Sequence, residues 1–289
     1  MKKILIFLFF AAQPMIISAT TVKMDLSAAI KNNTVKAEGI NFKGGYIGKT
    51  TKLMIANNTK SVVQLRVDIG VIFKPDDDAY QPMVLAGEEM VMIMPLSKGE
   101  IDVETFCGNA PGHCPSESLH YTFSHVANDT LIKILQFIKK NSLFDYLGQD
   151  AVWAITNGHD IGYVYDNTRD AISKQLQELL CATTGRPKPE YYTVTTKTQV
   201  PDEPAYVPKT MKIVAEFEIR LDTPKALSLG IYNDSGVMVQ KVFENLSFGK
   251  SGHRFGVEFE AEGALQGKYY IRLKEGEMVL QEKMFKVNH

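Results

Sequence analysis

The chain has 289 residues, of which 45% are hydrophobic and 22% charged, and its formal net charge is -1. This balance is typical of a globular protein that buries a core, and the length suffices for one large domain or two ordinary ones. A nucleic-acid partner is not expected, because a phosphate-binding surface normally needs a basic excess.

The N-terminus has the features of an export signal. Lys2 and Lys3 form a basic start, Ile4 to Ala12 form an apolar core, and small residues end the segment. We therefore predict a signal peptide over residues 1–19 and an exported protein. The apolar run is too short to span a bilayer comfortably, and an uncleaved membrane anchor is the alternative.

Residues 20–185 contain alternating segments followed by a helical region. Roughly six to eight short segments between Thr21 and Phe106 alternate polar with apolar residues, which predicts an antiparallel β-sandwich. Apolar residues then recur at helical spacing. This spacing predicts helices near residues 130–140, 149–156 and 169–183, which we expect to cap the sandwich.

Two strand predictions in this region matter for the fold. Thr21 to Ala28 alternates as a single strand would. Val62 to Phe73 is rich in β-branched residues, which predicts one long strand with a bend near Gly70.

The region contains all three cysteines of the chain: Cys107, Cys114 and Cys181. Because an exported protein meets an oxidising environment, we predict a disulfide between Cys107 and Cys114 that pins the short loop between them. Cys181 falls in an apolar helical pattern and is interpreted as a buried thiol.

Potential zinc ligands cluster in the same stretch, at Cys107, His113, Cys114, His120 and His125. Thiolate and imidazole groups suit zinc, but this spacing matches no standard zinc finger and the compartment favours disulfides. We therefore predict no metal ligands and no cofactor.

The sequence gives little indication of catalysis. Ser124 and His125 are adjacent, and adjacent strand residues point to opposite faces, which argues against a local dyad. No nucleophile elbow, phosphate loop or dinucleotide fingerprint occurs. We therefore name no catalytic residues and favour a non-enzymatic protein.

A proline-rich connector is predicted next. Residues 186–210 hold five of the chain's twelve prolines, which suits an extended, semi-rigid segment, with one edge strand at Tyr191 to Thr195. Residues 211–289 then alternate again, with six or seven strands in about eighty residues. That is the size of an immunoglobulin-like sandwich, so the whole chain is predicted to be mainly β.

Three segments near the C-terminus form a recognisable pattern: LGIYNDSGVMV at 229–239, GKYYIRL at 267–273 and KMFKV at 283–287. They resemble the C-terminal sorting domain of type IX secretion cargo in Bacteroidetes-type bacteria, and also the immunoglobulin-like domain of flagellar hook-capping proteins. The motif residues are Tyr232, Asp234, Gly236, Gly267, Tyr269, Gly276, Lys283 and Val287.

This resemblance implies that the C-terminal domain guides the protein across the outer membrane, with the secretion machinery as its partner. Lys268 departs from the family pattern, which often has a small or β-branched residue there. Because any small sandwich needs such hairpins, a plain adhesive or spacer module is the alternative.

The segment QDAVW at residues 149–153 is similar to the glutamine-x-alanine-(Ile/Val)-tryptophan segment of bacterial surface domains with a cysteine–glutamine thioester. In those domains a cysteine thiol is acylated by the glutamine side chain, which makes an electrophile for covalent adhesion. The resemblance implies Cys107 or Cys114 as the thiol and Gln149 as the acyl donor. The simpler interpretation is a capping helix that places Trp153 in the core.

We therefore predict a non-enzymatic binding or adhesion protein that is delivered by a type IX route to the outer-membrane surface or the extracellular space. Its surface ligand would be a protein or a glycan that the sequence does not identify. The alternatives are a secreted hydrolase or thioester-forming adhesin with the same sorting domain, or a structural subunit of a surface assembly.

Overall fold

A computed structural model of the chain describes residues 21–196, 200–206 and 209–288. The predicted signal peptide lies outside these residues. The protein is mainly β, as predicted, and the described strands form four sheets. Within the same ranges, no helix has the length and apolar character needed to cross a membrane.

The region that precedes the C-terminal strands, residues 21–184, is called the first half of the chain, and it contains two sheets. Its strands are β1 (Thr21–Asp25), β2 (Val35–Asn41), β3 (Thr51–Asn57), β4 (Val62–Val67), β5 (Val71–Pro75), β6 (Met83–Leu85), β7 (Glu89–Ile93), β8 (Lys98–Val103), β9 (Thr105–Cys107) and β10 (His120–Val126). Seven of them form one antiparallel sheet in the order β8-β3-β2-β10-β5-β6-β9. The other sheet has the order β1-β4-β7, and its β1 runs parallel to β4, a pairing that the antiparallel prediction did not include.

Two predicted strands are broken in the structure. The strand from Thr21 ends at Asp25, and helix α1 (Leu26–Lys31) follows, because Leu26 and Ala29 bury one helical face. The predicted long strand divides into β4 and β5, which lie in different sheets. The break contains Gly70, whose φ of 84° is readily adopted only by glycine.

Three further helices, α2 (Asp129–Lys140), α3 (Tyr146–Thr156) and α4 (Asp170–Thr184), pack together at one end of the large sheet. α3 begins earlier than the sequence pattern predicts, because the Asp145 side chain accepts a hydrogen bond from the Leu147 amide and caps the helix. Val84 of β6 and Phe106 of β9 join the helices in a second apolar core.

The C-terminal strands form a sandwich of two antiparallel sheets. They are β11 (Tyr191–Thr195), β12 (Thr210–Arg220), β13 (Lys225–Asn233), β14 (Met238–Phe248), β15 (Gly252–Glu260), β16 (Gly267–Glu275) and β17 (Met278–Val287). One sheet has the order β11-β12-β15 and the other β14-β13-β16-β17. A third apolar core, with Phe217, Ile231 and Phe285, lies between them. Seven strands in two sheets agree with the predicted immunoglobulin-like architecture.

β11 lies within the residues predicted as a connector, yet it pairs with β12 and belongs to the C-terminal sandwich. The sandwich also contacts the helical region directly. Tyr192 stacks on Tyr165 with ring centroids 4.5 Å apart, and the Lys174 ammonium lies 2.9 Å from the Glu216 carboxylate.

Candidate functional site

The motif residues of the C-terminal sandwich lie at two hairpins and in the core. Tyr232 is the second-last residue of β13, and the exposed Asp234 and Gly236 lie in the turn to β14. Gly236 has a φ of 77°, and the Tyr270 hydroxyl lies 3.1 Å from the Asp234 carboxylate. The turn is therefore fixed by local contacts and remains open to solvent.

The remaining motif residues are spread over β16 and β17. Tyr269 and Val287 are buried in the core, and Tyr269 stacks on Phe285 at 5.5 Å. The Lys283 ammonium donates to the Glu190 carbonyl at 2.8 Å. Gly267 begins β16, and Gly276 lies in the hairpin turn that follows it. These positions stabilise the sandwich rather than lining one common cavity.

The cysteines differ from their predicted arrangement. Although Cys107 and Cys114 both lie in described residues, no disulfide joins them. Cys107 ends β9 against α3, whereas the Cys114 amide donates to the Glu203 carbonyl at 2.7 Å. Burial raises the pKa of Cys107 well above its usual value and, with a smaller effect of Glu203, raises the pKa of Cys114 to about 12. Cys181 is only partly buried, which corrects the prediction of a buried thiol.

The histidines of the same stretch are separated. His113 meets the Tyr80 ring edge-on at 5.9 Å, whereas His120 is exposed on β10. Among the residues that the structure describes, no group of three or more His, Cys, Asp or Glu side chains could hold a metal ion.

Cys107 and Gln149 form the most distinctive arrangement in the molecule. The Gln149 side chain is fully buried, and its Oε1 accepts a hydrogen bond from the Cys107 amide at 2.9 Å. Its Nε2 donates to the Cys107 carbonyl, also at 2.9 Å. β9 is the last strand of the large sheet and pairs on one side with β6, where Met83 lies opposite Cys107. The Gln149 amide binds the backbone of Cys107 on the opposite, unpaired side of β9.

The first turn of α3 brings Gln149 to the strand. A Cβ added at Gly148 would lie 2.1 Å from the Leu143 carbonyl oxygen and 2.7 Å from the Phe106 ring, so a larger residue would force the helix away. Sequence reasoning did not identify Gly148. The glycine that directly precedes the QDAVW segment was the available signal.

Trp153 lies four residues after Gln149 and therefore shares its face of α3. It is fully buried and packs 5.8 Å from the Tyr46 ring. At the end of the helix, the Asn157 side chain accepts from the Ala110 amide at 3.0 Å. The first turn of α3 thus binds the end of β9 at Cys107, and the residue after the helix binds Ala110 in the loop that follows β9.

The geometry favours acyl chemistry at Gln149. The Cys107 amide N–H polarises the Gln149 carbonyl, as a hydrogen-bond donor in an oxyanion hole does. Burial shields both residues from water and raises the pKa of the Cys107 thiol well above its usual value. A protonated thiol is a weak nucleophile, so the placement of the two residues, and not the protonation state of the thiol, favours the reaction. The two hydrogen bonds therefore fix the Gln149 amide beside the backbone of the residue that carries the thiol, in an environment from which water is excluded.

A groove of about 570 Å³ is lined by Gly108 and Asn109, which follow Cys107 in the chain, but neither Cys107 nor Gln149 lines it. Ser124 and His125 also line it, with Ser124 Oγ 2.9 Å from His125 Nδ1. The argument against a local contact assumed a regular strand, but the pairing of β10 with β5 is irregular between Phe123 and His125, and the two side chains lie within hydrogen-bond distance.

Comparisons with known proteins do not assign the chain to a family. No protein-family model matches the sequence, and no curated protein matches it. A β-glucosidase structure from Kluyveromyces marxianus aligns at 8% identity and a TM-score of 0.23, over 83% of this chain and 44% of that one. The glucose complex of that enzyme aligns over the same shares at 8% identity and a TM-score of 0.19. The chain thus spans less than half the length of these structures, and the similarity is too low to indicate a function.

Proposed function

We propose that this protein is an exported surface adhesin that forms an internal thioester between Cys107 Sγ and Gln149 Cδ and uses it for covalent attachment. The observation that carries the proposal is the reciprocal pair of 2.9 Å hydrogen bonds between the Gln149 amide and the Cys107 backbone. These bonds hold the acyl group against the residue that carries the thiol.

Thioester formation needs no external oxidant or reductant. The Cys107 sulfur attacks Gln149 Cδ, the C–N bond breaks, and the nitrogen leaves as ammonia with the thiol proton. The Cys107 amide stabilises the oxyanion that develops on Gln149 Oε1. Burial of both residues protects the product from hydrolysis.

Attachment is the second acyl transfer. A nucleophilic amine or hydroxyl attacks Gln149 Cδ, the C–S bond breaks, and the proton of the nucleophile passes to Cys107 sulfur. An amine gives an amide and a hydroxyl gives an ester, so both a protein and a glycan are chemically suitable ligands. The role fits the predicted surface location.

Delivery is assigned to the C-terminal sandwich. Its edge strands β14 and β17, and its exposed turn at Asp234 and Gly236, are accessible to a receptor that pairs with a sheet edge. The sorting role rests on this exposure together with the sequence resemblance.

Intact-mass spectrometry of the purified full chain tests the thioester. The native protein should be lighter by about 17 Da than the mass of its mature sequence, since one ammonia is lost, and methylamine should open the thioester to give a methylamide at Gln149 and a free thiol at Cys107. Cys107→Ala should abolish the mass deficit, whereas the matched variant Cys114→Ala should retain it. A native protein of full sequence mass would show that the two hydrogen bonds only hold α3 on the sheet.

A further inference from the structure

The loop between β11 and β12 reaches back onto the first half of the chain. Residues 200–206 are the described core of this loop, and we call them the strap. The strap belongs to the C-terminal sandwich through the pairing of β11 with β12. Its buried contacts, however, are with the loop that follows Cys107 and with aromatic rings around Trp153.

The strap pairs by backbone with the loop after β9. The Cys114 amide donates to the Glu203 carbonyl at 2.7 Å, and the Asp202 amide donates to the Cys114 carbonyl at 3.2 Å. The Ala205 amide donates to the Gly112 carbonyl at 3.2 Å. These bonds surround an isolated antiparallel bridge between His113 and Pro204, which attaches the strap to the segment that follows Cys107.

Side chains of the strap complete the core around the Cys107–Gln149 pair. Ala205 is fully buried in the same apolar core as Cys107, and its carbonyl accepts from the Tyr46 hydroxyl at 3.4 Å. The Tyr206 ring packs 5.3 Å from Trp153 and 4.3 Å from His159. The strap therefore covers Trp153, which lies one helical turn after Gln149 on α3, and contacts Tyr46 beside it.

The outer part of the strap is held by weaker, exposed contacts. The Tyr80 hydroxyl donates to the exposed Asp202 carboxylate. Pro201 lies against Gly44, where a Cβ would come within 3.0 Å of the proline ring. Because exposed polar contacts contribute little stability, this end of the strap can separate at lower cost than the buried end at Ala205.

We propose that the strap is an opening cover through which the C-terminal sandwich controls the access of nucleophiles to the Cys107–Gln149 bond. This inference rests on the proposed thioester. With the strap closed, Ala205 and Tyr206 seal the core beside the bond. When the strap lifts, the Tyr46 and Trp153 rings lose their cover and an amine can approach.

The test is the rate of methylamine incorporation into the full chain, followed by intact mass. Tyr206→Ala removes the ring over Trp153 and should raise the rate about tenfold, and Asp202→Ala should raise it severalfold. The control Tyr270→Ala removes a tyrosine of the same sandwich that contacts Asp234 and Arg272, and should leave the rate unchanged.

The outcomes separate the two proposals. Strap variants that retain the mass deficit but react at the native rate would overturn the cover while leaving the thioester intact. A native chain without the deficit would overturn both. If Tyr206→Ala does not fold, Asp202→Ala decides, because its carboxylate is exposed and its removal leaves the core unchanged.

Discussion

The first half of the chain and the C-terminal sandwich bury different kinds of side chain. The first half encloses Gln149, Gln177 and Asn57 with almost no exposure, and the side-chain nitrogen of each donates a buried hydrogen bond to a backbone carbonyl. The core of the sandwich is apolar and aromatic, with Phe217 and Phe285 fully buried. A buried polar group is costly unless it is bonded, so the bonded amides distinguish the core of the first half from that of the sandwich. For this reason we assign the proposed acyl chemistry to the first half, and the proposed delivery role to the exposed turns and edges of the sandwich.

The largest expected effect is the loss of surface delivery when the end of the C-terminal sandwich is deleted, and it tests whether delivery depends on the sandwich alone. Deletion of residues 268–289 removes nearly all of β16 and β17, and should trap the protein in the periplasm. Fractionation with epitopes in both halves measures the outcome. Gln149→Ala should leave delivery unchanged, because it alters only the first half. Normal surface delivery of the truncated chain would refute the sorting role.

Truncation of Trp153 tests whether the aromatic core supports the site. Trp153→Ala should lower the free energy of unfolding by about 3–5 kcal/mol, because it removes a fully buried ring beside Tyr46. Hydrogen exchange should increase most in α3 and β9 and least in β16. Equal protection changes in β16 would mean that the two halves unfold as one unit.

A matched pair of glycine substitutions sharpens the comparison. Gly148→Ala should cost about 1–3 kcal/mol and abolish the mass deficit, because the new methyl group collides with the Leu143 carbonyl and separates Gln149 from Cys107. Gly256→Ala in β15 meets open space and should change stability by no more than about 0.5 kcal/mol. Chemical denaturation measures the free energy of unfolding of both variants, and intact-mass spectrometry measures their mass deficit. A mass deficit that persists in Gly148→Ala would contradict the close packing of α3 against Leu143.

The smallest effect concerns pH. Burial, with a smaller contribution from Arg186, lowers the pKa of His159 below its usual value near 6.5. The unfolded chain therefore binds this proton more readily, and the stability contributed by neutral His159 is present above about pH 6.5 and lost as the pH falls through the lowered pKa. His159→Phe should flatten the dependence of the unfolding midpoint between pH 7 and pH 5. An unchanged slope would exclude His159 as its source.

Sequence patterns predict the positions of individual strands better than they predict which strands pair with each other. The alternation of polar and apolar residues predicts the strands of the sandwich, because this period of two is a local property of the sequence. The turn residues Asn233 to Gly236 then connect β13 and β14 as a hairpin. The pairing of β1 with β4 depends on contacts distant in sequence, so alternation could not reveal it.

The same limit applies to the candidate site. The QDAVW segment indicated Gln149 as an acyl donor but left two cysteines open, since Cys107 lies 42 residues away on an edge strand. The strap lies within a proline-rich stretch whose composition predicts only an extended connector. Its attachment to Cys114 and Tyr46 depends on tertiary contacts and leaves no periodic pattern.

The most direct test of the account is peptide mapping after methylamine treatment of the folded native chain. The tryptic peptide from Asn141 to Arg169 should carry one methylamide at Gln149, and Cys107 should become available to an alkylating agent only after that reaction. An unmodified Gln149, with Cys107 alkylated in the unfolded chain without prior amine treatment, would contradict the thioester.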